Sequence, residues 1–187
     1  MLRAMVLIGT ERLLLRGLEM GDAADLLALY GDAEVMRYWS HAPWAALAQA
    51  ETAVREAQED YAQRRSLHLA IGLRSAGAAL IGSCALYDFA RQPGAATLGY
   101  LLARGHWGQG YAAEALAALL GHGFRMLDLR RINAEVAPEN TASLQLLARL
   151  GFRRCGRVPQ AWQVGGRSCD VEAFALQRSA YNVAHAE

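Results

Sequence analysis

Lysine is absent from this chain: all 19 basic residues are arginine. Without lysine there is no amine for a Schiff base and no phosphate-loop lysine, so mechanisms needing either are excluded. Beside so much alanine, the arginine usage reads as a coding bias. Cysteine is scarce, and Cys84, Cys155 and Cys169 are widely spaced and odd in number. Neither a disulfide framework nor a metal-ligand pattern emerges from them, so no metal is expected. No apolar run approaches the roughly 20 residues that span a bilayer. Residues 1–8, MLRAMVLI, lack the long apolar core and small-residue cleavage site of a secretory signal. Net charge is only +1, so no overall field draws nucleic acid or an anionic membrane. A cytoplasmic protein without a nucleic-acid or membrane partner is the expectation.

What is present is the composition of a globular protein. Hydrophobic residues make up 53% of the 187 and charged residues 20%, which excludes a disordered chain and leaves ample material for a core. One domain over residues 1–187 is expected.

Residues 11–17, ERLLLRG, read as a first strand. Asp22 is placed to cap a short helix running to Leu29, and 33–38 form a further turn. Pro43 opens a long helical stretch to about Arg65. Residues 67–73 and 79–88 make a hairpin across the turn signal Ser75-Ala76-Gly77. Gln92-Pro93-Gly94 turns the chain into a strand at 98–103. The next helix carries Ala113, Leu116, Leu120, Phe124 and Leu127 on one face. Residues 131–136 form a short strand ended by Pro138; Asn140 caps a helix over 141–150, and Gly151 closes it. Residues 152–163 and 167–177 read as a last hairpin around Gly165-Gly166. This order implies a mixed α/β (α+β) fold, with helices covering a mostly antiparallel sheet of about seven strands and one β–α–β crossover.

The most informative stretch is 105–116, GHWGQGYAAEAL. An apolar strand runs into a turn with glycines at 105, 108 and 110, and a strongly helical segment follows. Glycine lets a backbone approach a ligand, and the first turn of a helix offers unpaired N–H groups and the positive end of its dipole. Together these make an anion site suited to phosphate or pyrophosphate, at the carboxyl end of a strand where such sheets bind ligands. Gly108-Gln109-Gly110-Tyr111-Ala112-Ala113 also fits the dinucleotide fingerprint of a nicotinamide oxidoreductase, with Glu135 downstream as a ribose-binding acid. Against that reading stand the late position of the motif and the single crossover behind it. A glycine turn merely joining strand to helix is the plainest alternative.

The same residues resemble the acetyl-CoA motif of the GNAT superfamily of N-acetyltransferases, written R/Q-x-x-G-x-G/A. Asn140-Thr-Ala-Ser143 followed by Leu147-Ala-Arg-Leu-Gly-Phe152 is similar to the superfamily's second motif. Arg12-Leu-Leu-Leu-Arg16 and Glu34-Val-Met-Arg-Tyr38 resemble the opening of its Rim-type branch, which includes enzymes acetylating the N-termini of ribosomal proteins. The resemblance runs from about residue 10 to 178. It implies a single-domain GNAT fold, splayed between the fourth and fifth strands, with acetyl-CoA wedged into the gap. Backbone N–H groups of Trp107, Gly108, Gln109, Gly110, Tyr111 and Ala112 would hold the pyrophosphate. Tyr100, Leu101 and Leu102 would pair with pantetheine like an added strand, and an N–H at Leu102 would polarise the thioester carbonyl. Asn140 and Ser143 would face the cofactor from the second helix.

The sequence departs from the family pattern around the chemistry. Gly105 stands where the motif has Arg or Gln, and Thr97 where many relatives carry a glutamate. Leu147 stands where many have a tyrosine proposed as general acid, and Gln160-Ala161-Trp162 where some Rim-type enzymes have an acidic residue. Ser143 is then the candidate donor to the departing sulfur, its plain alternative being a residue that extends the Asn140 cap. Glu135 is the best remaining carboxylate for a base. In its strand Ile132, Ala134 and Val136 share one face, and Asn133 and Glu135 the other. A solvated or salt-bridged carboxylate is the alternative. His106 is a second base by residue type, or an exposed loop residue. Cys84 as an acyl-carrying nucleophile is set against a small buried strand residue.

Tyr38, Trp39 and Trp44 lie between the early helices, and Tyr87 and Trp162 add further aromatic walls for an acceptor pocket. Such rings suit a peptide end or an amine, and simple packing is the alternative for each. The reading is an acetyl-CoA-dependent N-acetyltransferase working by direct attack on behalf of a peptide or protein N-terminus. A small-amine acetyltransferase (polyamine, antibiotic or amino acid) and a non-catalytic acyl-CoA-binding module are the alternatives. A homodimer is left open.

Overall fold

In the computed structural model, which describes residues 6–164 and 167–184, the strands of the chain join one sheet. Its members are β1 (Leu7–Gly9), β2 (Leu13–Gly17), β3 (Leu67–Leu73), β4 (Ala79–Tyr87), β5 (Ala95–Leu102), β6 (Arg131–Val136), β7 (Arg153–Val164) and β8 (Arg167–Gln177). The order is β1-β2-β3-β4-β5-β6-β8-β7, antiparallel at every step except β5 with β6. The mixed, mostly antiparallel α/β architecture expected from the sequence is the one that forms, with eight strands among the described residues rather than about seven. The extra strand is β1, whose three residues are too few to carry a pattern and are held by pairing with β2.

The helices are α1 (Ala23–Gly31), α2 (Leu47–Ala62), α3 (Tyr111–Arg125), α4 (Thr141–Arg149) and α5 (Arg178–Ala184). On one face of the sheet Leu26 of α1 and Ala50 and Val54 of α2 close over Ala70 of β3. On the other, Leu116, Leu119, Leu120 and Phe124 of α3 and Leu147 of α4 are at most 1% exposed against Leu13, Leu15, Leu69 and Leu86. Each such side chain taken wholly out of water contributes about 1.5–3 kcal/mol, which fixes α3 on the sheet and with it the position of its N-terminus.

Several expectations are corrected locally. The buried face of α3 is turned towards Ala115 and Leu119, because the helix crosses β1, β2 and β4; Ala113 faces the cleft and Leu127 lies beyond the helix end. Helix α2 begins at Leu47 and not at Pro43: Trp44 N–H is bonded to Tyr30 O at 2.9 Å, which keeps this segment against α1. The helix starts where Gln49 Oε1 accepts the N–H groups of Ala45 and Ala46 at 2.8 and 3.0 Å. Asp22 does not cap α1, because its carboxylate is taken by the Arg16 guanidinium and Glu19 N–H. Asn140 does cap α4, accepting Ser143 N–H at 3.2 Å. The turn expected at Gly165-Gly166 lies outside the described residues.

Strands β5 and β6 pair only from Ala95 with Arg131 to Leu98 with Ala134. Beyond Leu98, β5 stays with β4 as far as Leu102 opposite Gly82. Beyond Ala134, β6 stays with β8 as far as Val136 opposite Glu172. Two parallel strands, each held by its outer neighbour, therefore part company. This is the gap expected between the fourth and fifth strands, renumbered by the presence of β1.

Candidate active site

The gap opens into a cavity of about 530 Å³, walled by the ends of β5 and β6, the glycine loop, the starts of α3 and α4, and the segment after α1. Ala103 N–H points at β4, donating to Ile81 O at 2.8 Å. Alternation along the strand then turns the peptide groups of Tyr100 and Leu102 towards the edge that β6 has left. Leu101, between them, lines the cavity but directs its peptide group to β4. Trp107 folds back so that its indole donates to Leu102 O at 2.6 Å.

Gly108 and Gly110 have φ of 71° and 81°, a left-handed backbone that favours glycine. The first bond of α3 runs from Glu114 N–H to Gly110 O at 3.1 Å, so Tyr111, Ala112 and Ala113 bring the unpaired N–H groups of the helix start. Among the described residues, no group of the chain accepts from these three or from Gly108 N–H. Gly108, Gly110, Tyr111 and Ala112 all line the cavity. Two members of the expected pyrophosphate set behave differently. Trp107 N–H already donates to Arg104 O at 3.1 Å within a tight turn. Gln109 faces outward and is not in the lining, its carbonyl accepting from Arg12 Nη1 at 2.9 Å and its amide donating to Gly105 O at 2.8 Å.

Tyr100 brings a side chain that sequence reasoning passed over. Its hydroxyl is, among the described residues, the one buried side-chain N or O atom without a hydrogen-bond partner. Burial pushes the phenol up while the neighbouring Ser143 hydroxyl draws it back, so the two hydroxyls sit together in the wall. An orphaned buried hydroxyl, a free strand edge and a helix start together fit a long ligand with a pyrophosphate and amides. Asn140 lines the same wall, with its carbonyl oxygen occupied by the α4 cap.

On the other side Glu135 is exposed on β6, opposite in direction to Ile132, Ala134 and Val136, which are at most 6% exposed. Its Oε2 accepts Trp162 Nε1 at 3.1 Å. Burial, then the carboxylates of Glu135 and Asp88, push the Tyr87 hydroxyl up to about 12, which puts Tyr87 close to Glu135. A Cβ on Gly99 would lie 3.3 Å from Tyr87 and 3.6 Å from Trp39, so glycine there lets both rings rest on β5. Tyr38 also lines the cavity, with Arg37 5.2 Å from its ring. Trp44 does not; it stacks on Tyr30 at 4.2 Å and supports the wall from behind.

His106 reaches the lining, its ring 6.0 Å from that of Tyr111. Cys84 is outside it, enclosed in the sheet, where burial pushes the thiol up to about 12. Leu147 is wholly buried in the core, and the Thr97 hydroxyl is bonded to Asp88 at 3.4 Å. Three charged residues not expected at the site also line the cavity: Glu34 and Arg37, from the segment that resembles the Rim-type opening, and Arg149 from α4. With Glu135 they make two carboxylates and two guanidiniums, so the formal charges of the wall cancel. Among the described residues no group of three or more His, Cys, Asp or Glu could hold a metal, and no helix is long and apolar enough to cross a membrane.

A split sheet with a glycine-lined helix start at its gap defines a protein built around a phosphorylated ligand that runs between two strands. A family model, the acetyltransferase (GNAT) domain, matches residues 12–153, and the chain belongs to this family. It is an acetyl-transferring enzyme with acetyl-CoA as donor, which sets aside the nicotinamide reading and the non-catalytic module. The chain is 35% identical over 172 residues to the uncharacterized N-acetyltransferase p20 of Bacillus licheniformis, covering 92% of this chain and 96% of that protein. The crystal structure of spermidine N-acetyltransferase from Vibrio cholerae in complex with CoA and spermine matches with a TM-score of 0.80 at 25% identity, over 92% of this chain and 99% of that one. The ribosomal L7/L12 alpha-N-protein acetyltransferase RimL shares the fold, with a TM-score of 0.82 at 23% identity over 94% and 96% of the two chains.

Proposed function

We propose that this enzyme carries the acetyl group of acetyl-CoA to the primary amine of a peptide or protein N-terminus by direct attack. The observation that carries the acceptor class is the charge balance of the wall. A polyamine calls for an excess of free carboxylates. Here Glu34 faces Arg37 at 4.0 Å, Glu135 is engaged by Trp162, and two guanidiniums offset the two acids. An amine with a single charge, followed by a side chain that rests on Trp39 and Tyr87, suits this wall better. The similarity of the early segments to the Rim-type branch supports the same class. The solved relatives differ in acceptor, one named for spermidine and one for a ribosomal protein.

In this reading the N–H groups of Gly108 and of Tyr111 to Ala113 hold the pyrophosphate, and the peptide group of Tyr100 takes the pantetheine amides. Leu102 N–H polarises the thioester carbonyl, with the Trp107 indole on Leu102 O holding that stretch of backbone in place. One such donor is worth about 2.7–4 kcal/mol in acyl transfer. Glu135, directly or through a water, takes a proton from the incoming ammonium. The neutral amine attacks the thioester carbon, and the C–S bond breaks as the amide forms. Ser143, with Tyr100 beside it, gives its hydroxyl proton to the departing sulfur and takes up, through a water, the proton shed by the attacking nitrogen, so the hydroxyl is restored. Much of the rate comes from holding amine and thioester together, where effective molarities reach about 10⁵ M or more.

The test is release of free thiol from acetyl-CoA with short peptides bearing a free amino terminus, the same peptides blocked, and spermidine. Turnover confined to the free peptides, with spermidine at least tenfold poorer in kcat/KM, supports the assignment. A preference for spermidine overturns the acceptor class.

A further inference from the structure

We infer that Arg12, far from the glycine loop in sequence, is a positioning residue for the pyrophosphate of the donor. It draws the Gln109 carbonyl outward, so the N–H groups of the loop stay turned to the cleft, and it neutralises Glu114 beside them. The inference rests on acetyl-CoA being the donor.

Glu114 lies in the first turn of α3 and gathers a dense set of donors from the start of β2. Its Oε1 accepts Thr10 Oγ1 at 2.6 Å and Arg12 N–H at 2.8 Å, and its Oε2 accepts Arg12 Nε at 2.6 Å. The guanidinium, oriented by that pair, still has Nη1 free for Gln109 O at 2.9 Å and lies 4.4 Å from the centre of the Tyr111 ring. A Cβ on Gly110 would stand 3.4 Å from Arg12 Nη2. One side chain thus bonds Gln109, lies over Tyr111 and stands beside Gly110 between them, across the turn that starts α3.

The consequence is one of orientation and of charge. In a tight turn with two left-handed glycines, a carbonyl held outward leaves the neighbouring N–H groups facing in. An acidic residue in a first helical turn suits the helix dipole but repels an anionic ligand placed at the same terminus. Burial alone would raise the Glu114 carboxyl, yet the hydrogen bonds from Thr10 and Arg12 hold it below the ordinary value, so it remains charged. Arg12 cancels that charge. Lysine cannot replace it, since one ammonium lacks the planar fork that bonds Glu114 and Gln109 together.

A simple tether between β2 and α3 would have different consequences, and a set of variants separates the two. Acetyl-CoA binding is measured by calorimetry for wild type, Arg12→Ala, Arg12→Lys, Glu114→Gln and the Arg12→Ala/Glu114→Gln pair. Donor preference is measured as the ratio of kcat/KM for acetyl-CoA over S-acetylpantetheine, which lacks the pyrophosphate. Arg12→Ala is expected to weaken acetyl-CoA binding tenfold or more and to shrink the donor preference by a similar factor. Arg12→Lys recovers less than half of the loss. The double variant binds more tightly than Arg12→Ala, because the uncompensated carboxylate is gone. Should Arg12→Ala fail to fold, Arg12→Gln, which keeps donors and loses the charge, is held to the same expectation. Unchanged affinity, an equal loss for both donors, or a double variant no tighter than Arg12→Ala overturns the inference. A wild type that does not bind acetyl-CoA overturns the donor assignment and this inference with it.

Discussion

The indole of Trp162 donates to the carboxylate of Glu135 across 3.1 Å, tying the last hairpin to the strand that borders the opened gap. Trp162 reaches that far because β7 bulges. Val158 pairs with Val171 and the next pair is Trp162 with Cys169, so Pro159, Gln160 and Ala161 stand opposite Asp170 alone. Asp170 builds the bulge, accepting Gln160 N–H and Arg157 Nε, both at 3.0 Å, and Gln160 takes φ of 52°. Bulges next to active sites re-aim a side chain in this way.

Trp162→Phe keeps a ring in the wall and removes the donor. One hydrogen bond is worth about 1 kcal/mol net, so the acceptor KM should rise roughly fivefold while acetyl-CoA affinity by calorimetry stays put. An unaltered acceptor KM would mean that the bond has no part in holding or orienting the acceptor side.

The glycine loop yields a prediction with its own control. Gly105 has open space around it and no left-handed backbone, so Gly105→Ala should bind acetyl-CoA as the wild type does. Gly108 has open space too, but its φ is 71° and the space is the cavity itself. Gly108→Val should strain the turn by about 1–2 kcal/mol and lower acetyl-CoA affinity at least tenfold, as read by calorimetry on a variant whose melting curve remains cooperative. Equal behaviour of the two variants would remove the loop from the donor site.

Much of this arrangement was legible in the chain, and the reasons are local. Glycines before a strong helix, an Asn140 cap and period-two strands are properties of neighbouring residues, so the cleft-forming elements could be placed within a few positions. The misses lie in the detail of one tight turn and where distant segments meet. Trp107 N–H and the Gln109 carbonyl are claimed by a tight turn and by Arg12, partners that no spacing announces. Trp44 carries the same residue type as Trp39, yet stacking on Tyr30 removes it from the lining. The strand pattern points only to the backbone of Tyr100, because whether its hydroxyl finds a partner depends on the helix packed across from it.

Tyr100→Phe separates stability from chemistry. Its buried hydroxyl makes no well-formed hydrogen bond and has the Ser143 hydroxyl beside it, so removing it gives up little. The melting temperature should therefore hold or rise slightly. If the hydroxyl supports proton delivery to the sulfur beside Ser143, kcat should fall by about tenfold or more, within the range of positioned proton donors. A variant that is both as stable and as fast as the wild type would leave the orphaned hydroxyl without a catalytic part.

Asp22 anchors the turn leading into α1 through its bonds to Arg16 and Glu19 N–H. Its side chain is 8% exposed and that of Arg16 19%, with the two paired at 2.7 Å. Burial alone would raise the Asp22 carboxyl, but the bonds from Arg16 and from Glu19 N–H hold it below its usual 3.8. A carboxyl whose folded pKa lies below its unfolded one contributes stability above the unfolded value and loses it as pH falls through the folded value. Asp22→Asn leaves the Arg16 guanidinium largely enclosed without a counter-charge. Near pH 7 it should cost about 1–3 kcal/mol, or roughly 2–12 °C in Tm for a chain of this size. As pH falls below the ordinary 3.8 and through the lower folded value, the wild-type carboxyl takes up its proton and the gap between the two proteins should close. Melts of both proteins across that range decide the matter: a gap that keeps its size down to the lowest pH would assign the loss to packing, and the ion pair would then have no share in holding the turn.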